Sequence, residues 1–333
     1  MTTIALPRAV LPRAMPLPLN WLASLLFASF VAFMPWELIR GAAFADLANY
    51  SARMFQIADN GMDYFEWEDS LVGWLKFEYF WFRMLAAAAY LDVEPLHFMK
   101  AVTFASAFMT HRFLAARVNA ALAFVVLANP ISIDLLSSQT RSAFAFALFL
   151  TIADLLVARK HLLWRWASFS ALPFVHTAMI PVLSIYALST TVAGWTRLSP
   201  LLKASIAAGA GIVFCLAIVV ALPGFAESVG DRRDLAGYEN KTLTYLSFWF
   251  LAAGALAISY GREACARWEY LFALFVCVSA PAIEATGTPG FRFVALALPL
   301  VWIALGFTTG WTRRAAFAGA AAYGLLLVYY WVR

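Results

Sequence analysis

The sequence predicts an all-α, polytopic integral membrane bundle of about eleven spans with one further helix at the membrane interface. Three observations lead there. Hydrophobic residues make up 63% of the 333-residue chain and charged residues 13%, where a soluble domain has about 45–50% and about 25%. Apolar runs near the ~17–25 residues that cross a bilayer recur along the whole chain. Lys and Arg fall in the short turns between those runs. The chain therefore reads as a single transmembrane domain over residues 1–333.

The elements follow in order. Arg8 and Arg13 and a Pro-rich tail precede an apolar stretch at 20–36, which reads as an uncleaved signal anchor. Further spans are expected at 96–114, 118–136, 139–158, 162–175, 178–193, 204–222, 243–260, 268–284, 292–309 and 315–332. The pair 162–175 and 178–193 is short for two crossings. Pro173 and Pro181 flank His176 and supply a break there, so the pair reads as a hairpin hinged near the histidine.

Charge parity supports that hinge. Counted as two passes, the hairpin leaves Arg8, Arg13, Arg112, Arg117, Arg159, Lys160, Arg165, Arg197, Lys203, Arg262, Arg267, Arg313 and Arg314 on one side, accompanied by Asp154, Glu263 and Glu269. Counted as one, it splits the basic turns between both faces. The positive-inside rule selects the first arrangement, with a cytoplasmic N-terminus. Residues 76–91, KFEYFWFRMLAAAAYL, would invert this parity as a full crossing. They carry Lys76, Glu78 and Arg83, and read as a helix at the outer interface.

The net charge of +5 does not indicate nucleic acid, because the basic residues are dispersed in turns. Cys215, Cys265 and Cys277 form no CxxC and read as small apolar filler.

Two external segments follow from the topology. Segment 37–95 holds Asp46, Asp59, Asp63, Glu66, Glu68 and Asp69; these read as a solvated loop, except that Asp46 and Tyr50 share a helical face at i,i+4 spacing. Segment 223–242 contains Asp231, Arg232, Arg233 and Asp234, either a self-neutralising mobile loop or a lid whose arginines close over an anion.

Three ionisable residues stand at the outer ends of apolar spans: Arg141, His176 and Arg292. Snorkelling explains one arginine and helix packing explains one histidine. Three on one face point to function instead. Arginine forks bind phosphate oxygens, and a histidine accepts a proton near neutral pH. Two cations and a base suit attack by a hydroxyl on a substrate whose leaving group is a phosphate or diphosphate. No second His or Cys lies at ligand spacing from His176, so no metal is expected.

The stretch QTRSAFAFALFLTIADLLVARKHLLWRWASFSALPFVHTAMIPVLSIYAL, which carries Arg141 and His176, resembles the central signature of EpsG-type, Wzy-like bacterial polysaccharide polymerases. FADLANY, with Asp46 and Tyr50, resembles an Asp-x-x-x-Tyr element of that family, and FEYFWFRML, with Glu78, its acidic-aromatic helix start. Arg292 resembles a late external arginine. Ser142 and Tyr79 stand where the family commonly has Gln and Pro.

The resemblance implies a GT-C-like inner-membrane enzyme, without cofactor or metal, that joins repeat units carried on undecaprenyl diphosphate at the periplasmic face. It implies that Arg141 and Arg292, with Arg232 and Arg233 of the lid, bind the diphosphate. His176 would act as base, orient the acceptor hydroxyl, or bind phosphate. Asp46 and Glu78 would position sugar hydroxyls or hold the arginines. Tyr50 and Tyr238 would bind sugar, and the aromatics Tyr64, Trp67, Trp74, Tyr79 and Trp81 would stack on sugar or anchor at the interface. Membrane lipids, a flippase and a chain-length regulator are the implied partners.

Other functions remain open on the residues alone. A transferase using sugar on a lipid monophosphate, or a glycan ligase, would rely on Asp46, Asp59 or Asp63. A flippase for lipid-linked oligosaccharide would show internal repeats, and none is evident. A scaffold in an export complex would have no indispensable polar residue.

Overall fold

Among the described residues every regular element is helical, the form in which an apolar segment closes its own backbone hydrogen bonds. The computed structural model describes residues 17–61, 70–157, 162–228, 243–284 and 291–332. The order is α1 (Leu17–Phe33), α2 (Trp36–Arg40), α3 (Ala45–Asn60), α4 (Leu71–Lys76), α5 (Tyr79–Tyr90), α6 (Pro95–Ala115), α7 (Ala120–Leu127), α8 (Pro130–Ser137), α9 (Thr140–Val157) and α10 (Leu162–Ser170). It continues with α11 (Met179–Gly194), α12 (Pro200–Ser228), α13 (Leu243–Ile258), α14 (Trp268–Glu284), α15 (Phe291–Gly306) and α16 (Gly310–Val332). Most expected spans coincide with a helix to within a few residues.

The expected span 118–136 is different. It is two helices, α7 and α8, bent by 80°. The cause is local: Asn129 precedes Pro130 and is extended (φ −104°, ψ 156°), the conformation a following proline imposes. Pro130 opens α8, where no amide hydrogen is needed, and the Asn129 side chain caps the Ser132 amide at 3.1 Å.

The broken pair still climbs along α6. His111 Nε2 meets the Ala120 carbonyl at 3.2 Å, Thr103 donates to the Leu136 carbonyl at 3.0 Å, and Thr140 donates to the Met99 sulfur at 3.7 Å. From the His111 level to the Met99 level is about 18 Å along the helix at 1.5 Å per residue. α7 and α8 therefore connect the two ends of α6, and α9 starts beside the end where α6 began.

The expected break at the histidine is present. α10 ends at Ser170, a 3-10 turn covers Leu172–Phe174, and α11 begins at Met179. Pro173 sits in the 3-10 turn and Pro181 in the first turn of α11, where neither removes a helical hydrogen bond. The two arms meet at Phe169 and Tyr186, ring centroids 5.2 Å apart.

The opposite end carries its own polar knot. Arg117, just past α6, donates to Asp154 of α9 at 3.1 Å and to Glu269 of α14 at 3.2 Å. Lys203, near the start of α12, donates to the Ala193 carbonyl at the end of α11 at 2.7 Å. Asp154 and Glu269 thus share a cluster with the arginine that parity placed beside them.

α14 is the core helix. It packs against α11, α12, α13 and α15, and all its side chains from Tyr270 to Cys277 are buried, as expected of a helix apolar all round. The three cysteines are buried thiols. α12 approaches α14 backbone to backbone at Gly211, where a Cβ would stand 2.8 Å from the Phe275 carbonyl oxygen. Among the described residues, one helical stretch, Pro200–Ala217, qualifies alone as a bilayer span by length and composition, and α7 with α8 qualifies as a pair. Shorter apolar helices include Leu19–Phe33, Met179–Gly194, Trp268–Ala280 and Ala295–Gly306.

Gly211→Ala is expected to push α12 off α14 and destabilise the protein by about 2 kcal/mol. Gly209→Ala, where a Cβ meets nothing within 4 Å, is expected to be neutral. Thermal unfolding of the two purified variants, with a lower midpoint for the first alone, is the check.

Candidate functional site

The site begins with a backbone reversal. Ser70 caps α4 by accepting the Gly73 amide at 3.0 Å, and α4 ends at Lys76. Two residues later Glu78 takes a left-handed conformation (φ 54°, ψ 64°) before α5 starts. That region costs a side-chain-bearing residue about 1–2 kcal/mol. It persists where the surroundings over-determine it, and here they do.

Glu78 is the meeting point of three segments. Its Oε2 accepts from Arg141 Nη1, in the first turn of α9. Its Oε1 lies 2.6 Å from His176 Nδ1 and accepts from the Thr177 amide at 3.0 Å and the Thr177 hydroxyl at 3.3 Å. On the far side of the imidazole, His176 Nε2 lies 2.9 Å from Ser142 Oγ. Side-chain exposure is 7% for Glu78, 14% for His176 and 20% for Arg141. The carboxylate is thus sealed in while the two basic groups keep an edge toward the outside.

The electrostatics follow from that geometry. Burial raises the pKa of the Glu78 carboxyl. The His176 hydrogen bond, the positive charge of Arg141, that of the His176 ring whenever it is protonated, and the Thr177 amide outweigh it, and the net value falls below the ordinary 4.5. A carboxylate on Nδ1 fixes the proton there and leaves Nε2 as the acceptor facing Ser142. Tyr50 closes the site from α3: the Arg141 guanidinium carbon lies 5.9 Å from its ring centroid, and its ring meets Trp81 edge-on at 5.3 Å.

Of the residues expected from sequence, the structure brings Glu78, Arg141, His176 and Tyr50 into one cluster. Tyr50 and Trp81 are buried, so here they form a wall of the cluster and not open platforms for a sugar. Trp74 and Phe80 keep exposed faces. Asp46 lies on α3 and Arg292 on α15, but their side chains are outside the described residues. Arg232, Arg233 and Tyr238 fall outside the described residues altogether, as do Tyr64 and Trp67.

Two members of the cluster had no assigned role in the sequence reading. Thr177 and Ser142 each follow one of the singled-out residues, and that adjacency to His176 and Arg141 was the available signal. Among the described residues no group of three or more His, Cys, Asp or Glu is placed to hold a metal ion. Comparison with family models, curated proteins and solved structures finds no match to this chain.

Glu78→Gln keeps the shape and removes the charge, and is expected to destabilise the fold by about 2 kcal/mol at neutral pH. Because the folded carboxyl titrates below 4.5, its contribution is complete above that pH and is lost as pH falls through the lowered value. Thermal midpoints of wild type and Glu78→Gln should therefore differ at pH 7 and converge in acid. A gap that widens below pH 4.5 would contradict the assignment.

Proposed function

We propose that the chain is a polytopic membrane glycosyltransferase of the EpsG-type, Wzy-like kind. It joins oligosaccharide repeat units carried on undecaprenyl diphosphate at the periplasmic face of a bacterial inner membrane. The observation that carries this reading is the Glu78 cluster: a fixed guanidinium and a carboxylate-anchored imidazole side by side at one end of a helical bundle.

The membrane setting is supported by surface chemistry. Leu22, Leu25 and Leu26 on α1, Ile212, Val213 and Leu216 on α12, and Leu325 and Val332 on α16 are all exposed, an apolar surface of the kind lipid covers. Helices of 16–18 residues such as α1, α9, α11 and α14 are about 24–27 Å long, close to the ~30 Å hydrocarbon layer. The Arg117 knot gathers Arg117, Asp154 and Glu269, residues that the positive-inside count assigns to the cytoplasmic side. The Glu78 cluster is then periplasmic.

In this reading Arg141 stabilises the charge that builds on the departing diphosphate, and Arg292, at the start of α15, supplies a second cation. His176 is the base that drives deprotonation of the attacking sugar hydroxyl. Glu78 has both oxygens engaged by protein groups, which favours a holding role: it fixes the His176 tautomer and aims Arg141. Asp46, Arg232, Arg233 and Tyr238 complete the substrate contacts, and flippase and chain-length regulator act as partners.

The test is elongation in detergent, where no membrane separates two compartments and transport cannot mimic the result. Wild type should convert lipid-diphosphate-linked repeat units into longer glycans. His176→Ala and Arg141→Ala should each lose at least about 10²-fold in rate while retaining the wild-type far-UV circular dichroism. Long polymer from both variants would exclude the proposed roles.

A further inference from the structure

Both ring nitrogens of His176 are engaged within the protein. Nδ1 is on Glu78 at 2.6 Å, and Nε2, the nitrogen left to accept a proton, is on Ser142 Oγ at 2.9 Å. An acceptor hydroxyl meeting this base head-on would have to displace the serine. Ser142 itself is half-buried in the first turn of α9, next to Arg141. With Nε2 unprotonated, the serine hydroxyl hydrogen points at the ring, and its lone pairs are turned toward whatever approaches from the other side.

We infer that Ser142 is a catalytic proton relay, and that its Oγ, not His176 Nε2, is the atom that contacts the acceptor sugar hydroxyl. The inference rests on the glycosyltransfer reading above and deepens it. The step balances as follows. The acceptor oxygen forms its bond to the anomeric carbon as the carbon–oxygen bond to the diphosphate breaks, and that electron pair leaves on the diphosphate beside Arg141. The acceptor's proton passes to Ser142 Oγ while the serine's own proton passes to His176 Nε2. The resulting imidazolium is held by the Glu78 carboxylate, and the return of its proton through Ser142 to water resets the chain.

The arrangement Glu78–His176–Ser142 has the order carboxylate, imidazole, hydroxyl that activates serine nucleophiles elsewhere. Relay and covalent attack by Ser142 are separable. A relay moves two protons in one step and leaves no modified serine, whereas a nucleophile passes through a glycosyl-serine.

The experiment is single-turnover elongation in detergent with lipid-diphosphate-linked repeat, run in mixtures of H2O and D2O. For wild type the rate should fall along a bowed curve with deuterium fraction, the mark of two protons in flight, and this needs no variant to fold. Ser142→Ala should lower the single-turnover rate about 10²-fold, leave substrate binding within about twofold and straighten the curve. Ser142→Thr, which keeps a hydroxyl, should recover most of the rate.

A linear wild-type curve, an Ala variant as fast as wild type, or a glycosylated Ser142 peptide trapped on quenching would overturn the relay while leaving glycosyltransfer intact. A wild type that does not elongate the substrate at all would overturn both.

Discussion

A single buried carboxylate organises one end of this protein. Glu78 cannot be sealed from water as an anion without compensation, since the unpaired charge would cost several kcal/mol. The compensation comes from segments far apart in the chain: the start of α9 through Arg141, and the hinge before α11 through His176 and Thr177. Satisfying the charge therefore fixes where α5, α9 and the hinge sit relative to one another. It also explains the left-handed backbone at Glu78, because the reversal between α4 and α5 turns the side chain into the bundle.

The two ends of the bundle solve the same problem differently. At the Arg117 end one guanidinium bridges two carboxylates, Asp154 and the nearly sealed Glu269, which Arg267 also approaches at 3.7 Å, and holds α6, α9 and α14 together. At the Glu78 end one carboxylate bridges a guanidinium and an imidazole, leaving both basic groups an edge to the outside. The first is a clamp. The second has the parts for chemistry: a permanent cation, a titratable ring in a fixed tautomer, and a hydroxyl at the ring's other nitrogen. Between them lies the apolar core around α14, tight enough at Gly211 to exclude a methyl group.

Much of the helical plan is legible in the sequence, because hydropathy and the positions of Pro and basic residues act locally. The break at His176 follows from Pro173 and Pro181. The division of 118–136 into α7 and α8 was missed because a hydropathy window counts apolar residues and overlooks the extended backbone that Pro130 forces on Asn129. The site was only half legible. Arg141 and His176 stand out as ionisable groups in apolar runs. Glu78 instead lies among the charges and aromatics around the start of α5, 98 residues before its histidine, and stands out only through a family resemblance. No spacing rule reaches across such a distance. Ser142 is invisible to composition, since a serine in a helix start ordinarily serves the backbone.

The central claim is that the Glu78 cluster is a diphosphate-binding reaction site and not a second clamp. Equilibrium binding of a polyprenyl diphosphate to the purified protein tests this most directly, with wild type, Arg141→Ala and the opposite-end control Arg117→Lys measured side by side. The account predicts at least about tenfold weaker binding for Arg141→Ala, the loss of one charged phosphate contact, and unchanged binding for the control. Equal affinity in all three proteins would contradict it.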